Sequence, residues 1–112
     1  MASNYVQPGD VIPLNAPYDR LAGEGALINA NIFGVAINDV DSGDEGEFHI
    51  VGVWDLKAAT ADVFAQGANV YWDNSGKQCD SSSTGNTLIG VATEAKAADE
   101  TTVRVRLNGI SV

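Results

Sequence analysis

The sequence is poor in the residues from which catalytic and metal centres are usually built. Cys79 is the only cysteine among 112 residues, which excludes an intrachain disulfide and a cysteine-rich metal site. It has no base partner close by in sequence and reads as a packed thiol. His49 is the only histidine, so a hydrolytic triad or an imidazole-ligated metal would have to be built around it. It lies between Phe48 and Ile50 in an alternating run, and no Gly-x-Ser-x-Gly elbow occurs anywhere, which leaves it a structural or interface role. Gly76-Lys77 is followed by Gln78 rather than Ser or Thr, and Tyr71 stands where a phosphate loop needs its first glycine, so there is no Walker A motif. Basic residues are scarce as well. Six Lys and Arg against fifteen Asp and Glu give a net charge of −9, which disfavours nucleic acid phosphates and anionic membranes as partners. No apolar run approaches the roughly 18 residues of a membrane span, and residues 1–8 lack the basic segment and apolar core of a secretory leader. These absences lead us to expect a cytosolic product that is not an enzyme and needs no cofactor or metal.

What the chain does hold is short strands separated by turns. Ile32 to Trp54 is the stretch around which the rest is organised: Ile32, Phe33, Val35, Ala36 and Ile37 precede an acidic, turn-rich segment, and Phe48, Ile50, Gly52 and Trp54 alternate after it. Period two marks a half-buried strand, so the stretch reads as a β-hairpin. Its acidic loop, Asp39 to Glu47, opens like a calcium loop at Asp39-x-Asp41. The sixth position is Asp44 rather than Gly and the twelfth is Ile50 rather than Glu, so a solvated hairpin turn is the better reading. Other strands are expected at Val11 to Leu14, with Pro13 restricting it to an edge, at Ala26 to Ile28, at Val70 to Trp72 with a short return at Lys77 to Cys79, and at Val103 to Leu107. Asp55 to Gln66 is rich in alanine and predicts one short helical turn, with Thr60 as N-cap and Gly67 as its stop.

Two internal echoes suggest duplication. Gly25-Ala-Leu-Ile resembles Gly67-Ala-Asn-Val, 42 residues on, and Phe33-Gly-Val-Ala resembles Ile89-Gly-Val-Ala, 56 residues on. The difference is about the length of a hairpin inserted between Trp72 and Thr84. The expected fold is therefore all-β, a small barrel or sandwich of short antiparallel strands, with two related hairpin units and one helical turn. One compact domain over residues 10–112 is expected, preceded by an N-terminal arm at residues 1–9.

Two groups of residues are candidates for an interface. Arg104 and Arg106 alternate with Val103, Val105 and Leu107, so both guanidinium groups share one face of the last strand; internal salt bridges and pairing with acidic groups of another subunit are equally open readings. In the arm, Tyr5, Val6, Gln7 and Pro8 carry too little apolar surface to order alone; pairing with a neighbour's sheet edge and extension of the first strand of their own domain are equally open readings, since Pro8-Gly9 leaves the direction of the chain undecided.

Several motifs in order, Tyr5-Val-Gln-Pro-Gly-Asp10, Phe33-Gly-Val-Ala, Gly52-Val-Trp-Asp-Leu56, Val70-Tyr-Trp-Asp73, Gly85-Asn-Thr-Leu-Ile-Gly-Val-Ala92 and Thr102-Val-Arg-Val-Arg-Leu-Asn-Gly109, resemble the capsid cement, or head decoration, proteins of tailed bacteriophages. The resemblance implies a small β-rich structural protein that binds the outer surface of an expanded phage head and reinforces it, typically as a homotrimer. Its implied partners are its own copies and the major capsid protein, and its implied place is the virion surface after synthesis in the host cytoplasm. The class that competes with it is an oligomeric binding module without catalytic activity, such as one recognising carbohydrate. The acidic hairpin Asp39 to Glu47 and the Asn29 to Asn31 link depart from the family's commonest pattern.

Overall fold

The computed structural model describes residues 10–28 and 32–108. The candidate residues Tyr5, Val6, Gln7 and Pro8, and the link Asn29 to Asn31, lie outside them. Nine strands form two antiparallel sheets: β1 (Val11–Asn15), β2 (Gly25–Ile28), β3 (Ile32–Ala36) and β4 (Glu45–His49) in the order β1-β4-β3-β2, and β5 (Val53–Lys57), β6 (Asn69–Asp73), β7 (Gln78–Asp80), β8 (Thr87–Ala92) and β9 (Thr102–Leu107) in the order β5-β9-β8-β6-β7. Neither sheet closes on itself, so of the two expected architectures the sandwich is the one adopted.

The two sheets are the same unit built twice. Without β7 their strand orders coincide, with β1 matching β5, β2 matching β6, β3 matching β8 and β4 matching β9. Backbone hydrogen bonds repeat at corresponding places: Gly23 N–H to Ala36 O and Gly67 N–H to Ala92 O, the reciprocal pairs Arg20–Val40 and Phe64–Lys96, and Gly43 N–H to Ala16 O and Asp99 N–H to Thr60 O. Gly23 and Gly67 both take positive φ, +87° and +85°. Gly67 therefore corresponds to Gly23 and not to Gly25, a shift of two from the sequence alignment, while the echo between Phe33-Gly-Val-Ala and Ile89-Gly-Val-Ala holds. Strand β7 with the turns on either side of it, added at the edge of the second sheet beside β6, is the insertion.

That second echo has a steric cause. A Cβ on Gly90 would lie 2.1 Å from the carbonyl oxygen of Arg106, and one on Gly34 would lie 2.9 Å from Phe48 Cβ and 3.3 Å from His49 O. Arg106 and His49 occupy matching positions, since each pairs with the valine that follows the glycine, Val91 and Val35. Both units thus bring the neighbouring strand against the glycine more closely than ordinary van der Waals contact with a Cβ allows, severely at Gly90 and by a smaller margin at Gly34.

Two sequence expectations fail. No helix occurs among the described residues, and the alanine-rich segment Asp55 to Gln66 instead completes β5 and then runs as turns. Alanine tolerates any buried backbone, and here Ala58 packs into the core as the chain leaves β5; tertiary packing overrides a weak propensity. The alternation from Phe48 to Trp54 is also not one strand. The chain bends at residues 50–52, where Gly52 has φ +108° and the Trp54 indole donates to Val51 O at 3.0 Å; β4 stays in the first sheet and β5 starts the second. The hairpin β3–β4 itself is present, with Ala36 opposite Phe48, and Pro13 lies on the edge strand β1 as expected.

The main core lies between the sheets. Leu27, Phe33 and Val35 from the first pack with Leu56, Phe64, Val70, Trp72, Cys79, Ile89, Val103, Val105 and Leu107 from the second, and the rings of Phe33 and Trp72 are 4.9 Å apart. Each such large side chain contributes on the order of 1.5–3 kcal/mol by leaving water. The opposite face of the first sheet has a smaller core of its own, Ala16, Ala26, Ala36 and Phe48, covered by Tyr18 and Val40 from the adjoining loops.

Candidate interface on the five-stranded sheet

The units stack front to back, and this leaves one sheet face without a partner among the described residues. Residues directly opposite in an antiparallel ladder share a face, so three rows can be followed across the outer side of the second sheet: Val53–Arg106–Val91–Asn69, Asp55–Arg104, and Leu88–Tyr71–Asp80. In the first unit the matching residues Leu27 and Val35, counterparts of Tyr71 and Val91, are buried against the second sheet. In the second unit no second sheet covers them among the described residues. Val53 is 53% exposed and Leu88 38% exposed, while Tyr71 and Val91 are half-buried.

The arginine pair predicted from alternation sits on this face, and the structure divides it. Arg104 is held within its own chain. Its Nε and Nη2 donate to the two carboxylate oxygens of Asp55, at 3.0 and 3.2 Å, and its Nη1 donates to Glu94 at 3.0 Å. The hydrogen bonds from Arg104, with its positive charge, hold the Asp55 carboxyl below its ordinary value against a smaller opposing effect of burial. Arg106 makes no ion pair among the described residues, and in the ladder it lies between the exposed Val53 and the half-buried Val91.

The other residues singled out in the sequence are structural. Cys79 is fully buried, and burial, with a smaller contribution from the Asp62 charge, pushes its thiol up to about 12, which makes it unreactive at neutral pH. The His49 ring lies 4.9 Å from that of Trp54, at the bend between the units. Trp72 is buried and its indole N–H donates to Asn74 Oδ1. Two aspartates around the acidic hairpin fasten its backbone: Asp39 accepts from Ala22 N–H and Asp19 from Ser42 N–H.

Sequence reasoning missed the counter-ions of Arg104, because Asp55 and Glu94 are 49 and 10 residues away. It also missed Val53 and Leu88, which read as ordinary strand residues until the sheets are assembled.

The fold is a duplicated all-β unit, with a packed core between its sheets and an open outer face. The chain belongs to the phage cement proteins: the model of that family matches residues 6–107. The family's role is a structural one, stabilising the phage capsid. No curated protein and no solved structure matches the chain.

Proposed function

We propose that the protein binds the outer surface of the expanded phage head, by contact with the major capsid protein, and reinforces it as a homotrimer. The observation that carries this reading is the family match over almost the whole chain. The open face of the second sheet supplies the contact: Val53, Leu88, Val91 and Tyr71 bury apolar area, and Arg106 pairs with a carboxylate of the capsid. The residues Tyr5, Val6, Gln7 and Pro8 act as an arm that adds backbone hydrogen bonds to a neighbour's sheet edge. Each contact is modest, and presentation by three linked copies multiplies its effect. Residues 10–112 act as one domain, which makes that presentation rigid.

Mixing the purified protein with expanded and unexpanded heads, then sedimenting the heads, tests the reading. Saturable binding to expanded heads alone, with a raised temperature of head disruption, is the expected result. Equal binding to both forms, or to neither, overturns it.

A further inference from the structure

The charge of this protein is unevenly divided. Residues 10–49 contain one arginine and eight carboxylates, net −7, whereas residues 53–108 contain five cations and seven carboxylates, net −2. Three of the six cations line a single cleft where the sheets meet. Its walls are Arg20, Lys57 and Lys77, with Glu24, Gly23 and Gly25 on one side and Leu56 and Trp72 beneath, and its volume of about 50 Å³ suits side-chain heads rather than a cofactor.

Two of the three cations are held ready. Arg20 donates to the carbonyl oxygens of Asp19 and Gly25, at 2.7 and 3.2 Å, and lies 3.7 Å from Glu24. The Lys77 ammonium lies 4.7 Å from the centre of the Tyr18 ring, on a backbone with φ +54°. Tyr18 is itself fixed, accepting from Leu27 N–H at 3.1 Å and donating to Asn74 Oδ1 at 2.9 Å. Neither Lys57 nor Lys77 has a carboxylate partner among the described residues. Glu24 is the only acidic group lining the cleft, which leaves a positive excess in an acidic protein.

The complementary surface is on the same chain. The hairpin from Asp39 to Glu47 places five carboxylates in nine residues, and those of Asp41, Asp44, Glu45 and Glu47 accept no hydrogen bond among the described residues. Its tip is fastened by Gly43 N–H to Ala16 O at 2.8 Å and by the bonds from Ala22 and Ser42 to Asp39 and Asp19, so it is presented with little ordering cost. The matching loop of the second unit has Lys96 where the hairpin has Val40, with its ammonium buried on the carbonyls of Asp62 and Ala97, and of its three carboxylates Glu94 is taken by Arg104 and Glu100 accepts from Ala97 N–H, which leaves Asp99.

We propose that the basic cleft formed by Arg20, Lys57 and Lys77 receives the acidic hairpin of a second copy, with Glu45 and Glu47 meeting the two lysines. The contact joins two different surfaces, so it is head-to-tail and closes into a ring when the rotation permits. This inference rests on the self-association proposed above and supplies its contact, while the open sheet face remains for the capsid.

Full-length protein carrying Lys57→Glu with Lys77→Glu, and a second carrying Glu45→Lys with Glu47→Lys, are compared with wild type by analytical ultracentrifugation. Each variant alone is expected to self-associate at least about tenfold more weakly, and an equimolar mixture of the two recovers pairing between unlike chains, with one mismatched contact left in a ring of three. Lys57→Ala with Lys77→Ala, which adds no repulsion, gives an intermediate loss. Raising the salt concentration weakens the wild-type assembly, because the contacts are between exposed charges. Variants that associate like wild type, a mixture that stays apart although both variants unfold at the wild-type temperature, or a wild type that is monomeric with and without heads overturn the proposal. The capsid reading is judged separately: a wild type that forms rings through this cleft but ignores expanded heads defeats that reading alone.

Discussion

The two units share a strand order and a set of backbone hydrogen bonds, yet they bury their faces differently. In the second unit one face carries the main core and the other is open. In the first, one face is given to that same core and the other is closed by its own loops over Phe48, the one large fully buried side chain of a cluster otherwise made of alanines. The difference teaches that a repeat can be conserved in its backbone while its side chains specialise: Glu47 in one unit corresponds to Arg104 in the other, and His49 to Arg106. The first unit is the more acidic of the two, and the second carries the open face.

Matched substitutions at equivalent positions can break or sharpen this comparison. Phe48 and Val105 correspond, opposite Ala36 and Ala92. Phe48→Ala is expected to cost about 3–5 kcal/mol in chemical denaturation, because its alanine neighbours cannot fill the space, and Val105→Ala about 1–3 kcal/mol. Equal losses would mean that the smaller core is not what holds the first unit. Next in size, Gly90→Ala should cost about 3 kcal/mol, since its Cβ meets backbone at 2.1 Å, and Gly34→Ala about 1–2 kcal/mol, since its nearest contact is a side-chain atom at 2.9 Å. A milder Gly90 substitution would show that β8 and β9 can separate without loss.

A smaller effect is expected at the corresponding turns. Gly43 and Asp99 both take positive φ, +87° and +78°, but only glycine does so without steric cost. Asp99→Gly should therefore stabilise by about 0.5–1 kcal/mol and Gly43→Asp destabilise by about 1 kcal/mol, both read from thermal unfolding.

The smallest effect is electrostatic. The native carboxyl of Asp55 titrates below its ordinary 3.8, so its contribution is fully present above that value and is lost as pH falls through the lowered native value. Asp55→Asn should narrow the stability gap between pH 7 and pH 3 only slightly, because both partners are about half exposed. A wide gap that closes completely would make this pair more important than its exposure allows.

Strand positions were legible in the sequence because alternation survives in Val103 to Leu107 and in Val70 to Trp72, where each strand has one buried face. The bend at residues 50–52 was not, since the alternation runs on through it and only the indole of Trp54 on Val51 marks the break. The helical turn was misread because a run of alanines satisfies a helix and a packed irregular segment equally well. Duplication was legible in the Gly-Val-Ala echo, where a Cβ on either glycine would crowd the neighbouring strand. It was misaligned by two at Gly25 because Gly23, the true counterpart of Gly67, stands two residues earlier. On the surface, alternation placed Arg104 and Arg106 on one face. Arg20, Lys57 and Lys77 are scattered along the chain and meet only once the inserted segment docks its Asn74 on Tyr18.

The central claim is that the open face of the second sheet is the one that meets the capsid. Equilibrium binding to expanded heads, measured for wild type and for Val53→Glu with Arg106→Glu, tests it most directly. Both substitutions lie on an exposed row, so the variant should unfold at the wild-type temperature while its affinity for heads falls at least about tenfold. A folded variant that binds expanded heads as tightly as wild type would contradict the account.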